Sequence, residues 1–309
     1  MPKIISCEFD YKQFLNSNIK KSPIKIGNTD EFKKEKEEEF KDIQTYFTDD
    51  FVNGFIDWVR EGYSNVVIDD LKPRCFEIEG VGPFLIGQRF KNGDINMPFI
   101  LLILGFEEER LLDVIEDIKK IAKECFSKIS PLGVTVNLRF LNALPQNSIV
   151  WNQLVYGKFD GEIENKNVRL EAVSEAMPYD VYCKVYDDWS KQNSELSRFI
   201  NKEPELALTE SAKAGLYFKF YVDDEFAGII CARKDNLYGH EAIYIMEELL
   251  IEKFRGKGFA KIMQRLFHKK FPDVEYIWGH ILDDNKPSLR TAFSCGRKIL
   301  ERECFFPFS

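Results

Sequence analysis

Apolar positions along this chain repeat with two spacings, and the two alternate. Leu111, Leu112, Val114, Ile115, Ile118, Ile121 and Ala122 recur three and four residues apart, which predicts a helix over 108–127. Phe259, Ile262, Met263, Leu266 and Phe267 repeat that pattern and predict a helix opening after Gly258. Charged stretches at 30–46 and 50–61 predict two more, the second capped by Asp49 or Asp50. Between them lie short runs of strand character at 3–8, 75–78, 84–90 and 134–140, with a fully apolar one at 99–104. The second half opens with a strand at 168–172, followed by a helical region at 179–199 interrupted near Asn193. Strands at 216–222 and 226–233 flank an acidic hairpin, Asp223-Asp224-Glu225. A long apolar strand at 241–251 is interrupted by Glu247 and Glu248. A strand at 276–281, a helix at 287–295 and a strand at 298–305 complete the order, which is that of an α/β chain built on a mixed sheet.

A chain of 309 residues suggests two domains. The Gly-rich polar stretch 156–166 is the natural boundary, giving domains at 1–160 and 165–309. With 44% hydrophobic residues and 27 Phe, the chain can bury a sizeable core, which excludes global disorder. Seven Cys without a CxxC pair and three His indicate neither a disulfide framework nor a metal site. The first residues show no basic-then-apolar leader, and the longest apolar run, 97–106, is too short to span a bilayer. The expectation is a cytoplasmic protein with no membrane partner; its oligomeric state is not legible.

Charge is unevenly placed. The net charge is −8, and the first 165 residues carry 21 basic against 28 acidic side chains, the remainder 22 against 23. An acidic chain is a poor general partner for nucleic acid, whose phosphates drive binding. The local exception is Lys253–Lys270, where seven basic residues stand without an acid. Such a run is usually a solvated helix face, but this one begins on a glycine turn. No aromatic side chains interleave on its basic face, so the expectation remains that nucleic acid is not bound.

That turn reads Ile251-Glu-Lys-Phe-Arg255-Gly256-Lys257-Gly258-Phe259-Ala260. Glycine lets backbone N–H groups converge without a Cβ in the way. The helix that follows adds unpaired amides and the positive end of its dipole, a setting suited to phosphate. A P-loop is absent, and the dinucleotide fingerprint fails because position 261 is Lys.

With the Arg255-x-x-Gly258-x-Ala260 turn, with Asn285, Ser288 and Gly296 beyond the next strand, and with the element order from 168 to 305, the chain resembles the GNAT superfamily of N-acetyltransferases. The resemblance covers about 140 residues. It implies that turn amides from Arg255 through Gly256, Lys257, Gly258 and Phe259 to Ala260 hold the pyrophosphate of acetyl-CoA. It implies that Leu249, Leu250 and Ile251 pair with the pantetheine arm, and that Asn285, with Ser288 in the same motif, meets it from the other side. The family commonly has a Pro and one further residue before the Arg; this chain is one residue shorter there and has no Pro.

The resemblance also places Glu247 and Glu248 beside the thioester. Strand alternation sends neighbouring side chains to opposite faces. Polyamine-type members carry an acidic pair here, the first being the usual base, so Glu247 is the expected base and Glu248 the reserve. Either could instead pair with Lys or Arg in a structural network. His280 is a candidate relay. The position where many members have a proton-donating Tyr is Ala292, next to Phe293; Tyr244, Cys295 or water would then have to serve. By default Cys295 and Cys304 are buried small apolar groups.

Two functions follow as expectations. One is an acetyl-CoA-dependent transferase acting on a primary amine of a small molecule or protein. The other is a non-catalytic acyl-CoA-binding or protein-interaction module with the same fold. Acidic positions such as Asp187, Asp188 and Asp223–Glu225 would suit a cationic acceptor. The first half repeats the element order of the second, so it reads as a degenerate GNAT-like copy. At its equivalent turn it has Gly105-Phe106-Glu107-Glu108-Glu109-Arg110, whose acids would repel phosphate. A domain without a coenzyme site, shaping or covering the acceptor side, is therefore expected.

Overall fold

The computed structural model describes residues 3–10, 12, 14, 24–139, 144–145, 147–158, 167–173, 179–197 and 200–308. The chain forms two compact units: Met1–Trp151 together with Glu301–Ser309, and Asn152–Leu300.

The first unit runs β1 (Ile4–Ser6), α1 (Thr29–Thr45), α2 (Asp49–Asn53), α3 (Ile56–Gly62), α4 (Ile68–Leu71), β2 (Arg74–Ile78), β3 (Gly82–Phe90), β4 (Pro98–Leu104), α5 (Leu111–Cys125) and β5 (Gly133–Leu138). The Asn28 side chain starts α1 by accepting the N–H groups of Asp30 and Glu31, two of the amides a helix leaves unpaired. The predicted 50–61 helix is instead two short helices, because α2 ends at Gly54 and Phe55 takes non-helical angles. Strands stand in the order β1-β2-β3-β4-β5, antiparallel except for β4 and β5. That parallel pairing is brief, Ile100 with Val134 and Leu101 with Thr135, and then the strands part. On one face Phe84, Ile86 and Leu102 pack against Leu111, Ile115 and Ile118 of α5. On the other, Cys75 and Leu85 meet Phe40 and Ile43 of α1. Each such aliphatic or aromatic burial contributes roughly 1.5–3 kcal/mol.

After β6 (Ile149–Gly157), the second unit runs β7 (Val168–Ala172), α6 (Tyr179–Gln192), α7 (Ser194–Ser197), α8 (Glu205–Lys213), β8 (Tyr217–Val222), β9 (Glu225–Leu237), β10 (His240–Leu250), α9 (Phe259–Lys269), β11 (Tyr276–Leu282), α10 (Lys286–Ser294) and the start of β12 (Lys298–Pro307). Its order is β6-β11-β10-β9-β8-β7. Asp223 and Asp224 both take positive φ, 48° and 60°, in the tight β8–β9 hairpin, where that twist suits a two-residue loop. The helical break near Asn193 is present, and α8 is a third helix beyond the two predicted. Helix α9 covers one sheet face through Met263 and Phe267. Helices α6 and α8 cover the other through Tyr182, Val185, Tyr186 and Leu208.

The unit boundaries depart from a division at 160–165. Residues 302–307 of β12 pair antiparallel with β5 of the first unit. Residues 152–157 of β6, which follow β5 in sequence, pair antiparallel with β11 of the second. The two halves have thus exchanged last strands. Of the predicted boundary stretch, residues 156 and 157 belong to β6, and 159–166 lie outside the described residues. Among the described residues no helix is long and apolar enough to cross a membrane, and no group of three or more His, Cys, Asp or Glu could hold a metal ion.

Candidate active site

The site is built on β10. Beside β11 it pairs in parallel only from Ala242 to Tyr244, against Tyr276 to Trp278, after which the strands separate. A Cβ at Gly279 would stand 3.3 Å from the Ile245 carbonyl oxygen, so glycine relieves crowding against β10 just past the last pair. Along its other edge, β10 skips a partner for Met246: Ile245 faces Ala232 and Glu247 faces Cys231. An extra residue of this kind is a β-bulge, which re-aims the side chains beyond it. Ile243, Ile245 and Leu250 pack with α9. Met246 and Leu249 pack with Tyr182 and Tyr186 of α6. The bulge therefore puts Glu247 on the α6 face, together with Tyr244, and Glu248 on the α9 face.

Glu247 is half-buried and held on both oxygens. The Tyr182 hydroxyl donates to Oε2 at 2.9 Å, and the Glu248 N–H donates to Oε1 at 3.1 Å. The same hydroxyl accepts the Glu203 N–H at 2.9 Å, and the Tyr179 hydroxyl donates to the Glu203 carbonyl at 2.9 Å. Burial pushes the Glu247 carboxyl up to about 7; the two donors oppose this, and the charges of Glu203 and Glu248 add to it. Burial also raises the Glu203 carboxyl, against the pull of Arg233. Tyr182 is driven well above its ordinary value by burial and by the neighbouring Glu247, so it stays protonated and remains a donor. Tyr244 is raised by burial too. Its ring lies 4.7 Å from Trp278, with the Arg233 guanidinium 4.4 Å above it.

Glu248 has other neighbours. Its Oε2 accepts from Gln264 of α9, and the buried Arg297 guanidinium draws its carboxyl down against a larger rise from burial, which leaves it at about 7. Cys295 is buried, its thiol pushed up to about 11 chiefly by burial. Cys304 is buried as well. His280 lies exposed on β11.

The turn from Leu249 to Ala260 leaves β10 through one short helical turn, Glu252–Phe254. Gly256 and Gly258 have φ of 70° and 81°, the left-handed region that favours glycine. A Cβ at either would meet nothing within 4 Å, so open space lies beside both. Gly258 is the N-cap of α9, and the amides of Phe259 and Ala260 belong to the first turn, which lacks partners within the helix. This open, amide-lined turn fits a phosphate group. Arg255 is turned inward: Nε donates to the Leu250 carbonyl at 2.7 Å and Nη1 to Gln192 Oε1 at 2.7 Å. It ties the end of β10 to α6, while Lys257 stays exposed. The Leu250 carbonyl and the Ile251 N–H, which pairs with Ala227 at 3.0 Å, are thereby engaged by the protein. Asn285 is the N-cap of α10, its Oδ1 accepting the Ser288 N–H at 3.3 Å.

The strand order, the brief parallel β10–β11 pairing and the glycine turn into α9 agree with the fold that the resemblance to the GNAT acetyltransferases implies. The chain is similar over 99% of its length, and 100% of the other's, to the structure of a GNAT-family acetyltransferase from Colwellia psychrerythraea, with 13% identity and a TM-score of 0.47. A GCN5-related N-acetyltransferase from Sphaerobacter thermophilus is similar over 81% of this chain and 84% of its own, with 8% identity and a TM-score of 0.44. A tandem GNAT protein from the clavulanic acid biosynthesis pathway is similar over 84% and 95%, with 12% identity and a TM-score of 0.41. No family model matches the chain, and no curated protein matches it.

Two parts of this candidate site escape a reading of the sequence. Tyr179, Tyr182 and Tyr186 recur at helical spacing on α6, a pattern that marks one face but not the carboxylate beneath it. Glu203 stands in a polar loop, and nothing in its neighbours signals proximity to Glu247.

Proposed function

We propose that the second unit transfers acetyl from acetyl-CoA to a primary amine, with the turn at 255–260 holding the coenzyme's phosphates. The observation that carries the proposal is a carboxylate raised by burial, Glu247, which a bulge places on the α6 face of β10 just beyond the point where β10 and β11 part. The coenzyme supplies an activated acyl thioester when bound. An amine arrives mainly as ammonium and must lose a proton before it can attack. A carboxyl raised to about 7 is matched to that task near neutral pH. Glu247 takes the proton, directly or through a water, while Tyr182 fixes its orientation. Glu203 adds a second carboxylate, half-buried and electrostatically coupled to Glu247, which favours a cationic acceptor. Tyr244, on the Glu247 face and keeping its proton, is the candidate donor to the departing thiolate. Leu249, Leu250 and Ile251, together with Asn285 and Ser288, would line the coenzyme's arm, without the Leu250 carbonyl and the Ile251 N–H, which Arg255 and Ala227 engage.

Ala292, buried where the family resemblance places a proton-donating Tyr, favours the second reading, a module that binds acyl-CoA without turnover. Coenzyme thiol release with a panel of monoamines and diamines separates the two. Release with an amine at a steady rate supports the transferase. Calorimetric binding of acetyl-CoA with no release above the hydrolysis background supports the module.

A further inference from the structure

Where β4 and β5 part, the first unit contains a cavity of about 370 Å³, within the range of small-molecule sites. Its lining is mixed: Phe40 and Ile43 of α1, Ile103 of β4, Phe106 and Val136 form an apolar wall, and charged and polar side chains line the rest. The charged groups at its rim fall into closed sets. Lys36 pairs with Glu39. Arg139 pairs with Glu301 at 3.1 Å, and its N–H donates to Glu108 at 2.7 Å. Asp42 lies on the exposed side of α1, where water screens it.

Arg89 is left over. Its guanidinium lies 4.7 Å above the Tyr46 ring and donates to the Gln88 carbonyl at 2.8 Å. Among the described residues, no carboxylate stands within ion-pair distance of it. Burial lowers its pKa, so the protein holds this cation at a cost and gives it no counter-charge. A planar cation beside an apolar wall matches a carboxylate that carries an apolar tail, which it can meet with two parallel hydrogen bonds. A dianionic phosphate is disfavoured more than a monoanion, because Glu108 and Glu301 also line the cavity.

We propose that this cavity binds a small monocarboxylate with an apolar tail, Arg89 holding the carboxylate and the apolar wall enclosing the tail. The proposal does not depend on the acetyltransferase reading of the second unit.

Calorimetry on the full chain with hexanoate and hexanamide tests it. One hexanoate per chain is expected, with hexanamide weaker by about ten-fold or more, the difference a charge-assisted pair makes. Arg89→Gln should weaken hexanoate by a similar factor. Asn137→Trp, at an exposed position on the cavity lining, should block entry without disturbing the core, so it serves even where Arg89→Gln folds poorly. Equal binding of acid and amide overturns the proposal, as does hexanoate binding unchanged by both variants. So does loss of hexanoate binding in Gly258→Val with Asn137→Trp unaffected, which would put the ligand in the second unit.

Discussion

The two clefts share a backbone and differ in chemistry. In each unit two strands run parallel for two or three residue pairs and then part, β4 from β5 and β10 from β11. Strand β4 keeps an unbroken register with β3 from Phe84–Leu104 to Phe90–Pro98, and its sequence, Pro-Phe-Ile-Leu-Leu-Ile-Leu, has no ionisable group. Strand β10 carries a bulge and two acids. After β4 comes Gly105, packed against Pro83, then a short turn of Glu108–Arg110; after β10 come Gly256 and Gly258, open to solvent. Parting two strands leaves a cavity at little expense, whereas a strand carboxylate raised by burial without a paired cation costs stability, and β10 carries one where β4 has none. Repetition of a fold therefore says where a cleft lies and nothing about its chemistry.

The comparison is most exposed to Glu247→Gln. Turnover should fall by about 10²-fold or more, the usual scale for losing a general base, while calorimetry shows acetyl-CoA still bound. Turnover retained in Glu247→Gln but lost in Glu248→Gln would transfer the role to the residue facing α9.

The glycines come next. Gly258→Val should weaken acetyl-CoA by about ten-fold or more, since a side chain would intrude where the amides converge and φ is positive. Gly105→Val should do the opposite. Its Cβ would stand 2.7 Å from Pro83 Cγ, so overpacking lowers stability by about 1–3 kcal/mol with coenzyme affinity unchanged. Equal effects of the two changes on affinity would mean that both turns bind coenzyme.

The pH dependence sharpens the same contrast. With Glu247 at about 7, its base form grows as pH rises, so kcat/KM should climb on an acid limb centred near that value. Stability moves the other way. The native state holds this proton up to about 7 while the unfolded chain releases it near 4.5, so stability falls across that interval and levels off above it. In Glu247→Gln this contribution should vanish from urea-melt free energies measured across the window.

Much of this is legible in the sequence, and what is hidden has physical reasons. The periodicities of 111–122 and 259–267 give α5 and α9, and the run at 99–104 gives β4, because each pattern reports a buried face. Helix α8, Glu-Leu-Ala-Leu-Thr-Glu-Ser-Ala-Lys, buries only Leu208 and Ser211 and so carries little periodic signal. The exchange of β6 and β12 is invisible because alternation fixes a strand's faces and not the edge it joins. The acid pair is legible as an interruption of β10, but a bulge at Met246 leaves no mark in composition, and without it parity alone would misplace Glu247.

The smallest effect concerns Tyr182, and it separates positioning from packing. In Tyr182→Phe the ring and its contacts within the α6 face remain, and only the hydroxyl is lost. That hydroxyl favours the charged form of Glu247, so its removal should raise the Glu247 pKa above about 7 and move the acid limb of kcat/KM upward. At neutral pH turnover should drop several-fold, less than in Glu247→Gln, and recover as pH rises. The Glu203 N–H loses its acceptor as well, which costs about 1–3 kcal/mol if water cannot replace it. A purely structural role would produce that second effect alone: a lower Tm with the limb unmoved. A shifted limb in a stably folded variant would show that the second cleft is tuned through a residue for which β4 of the first has no carboxylate to hold.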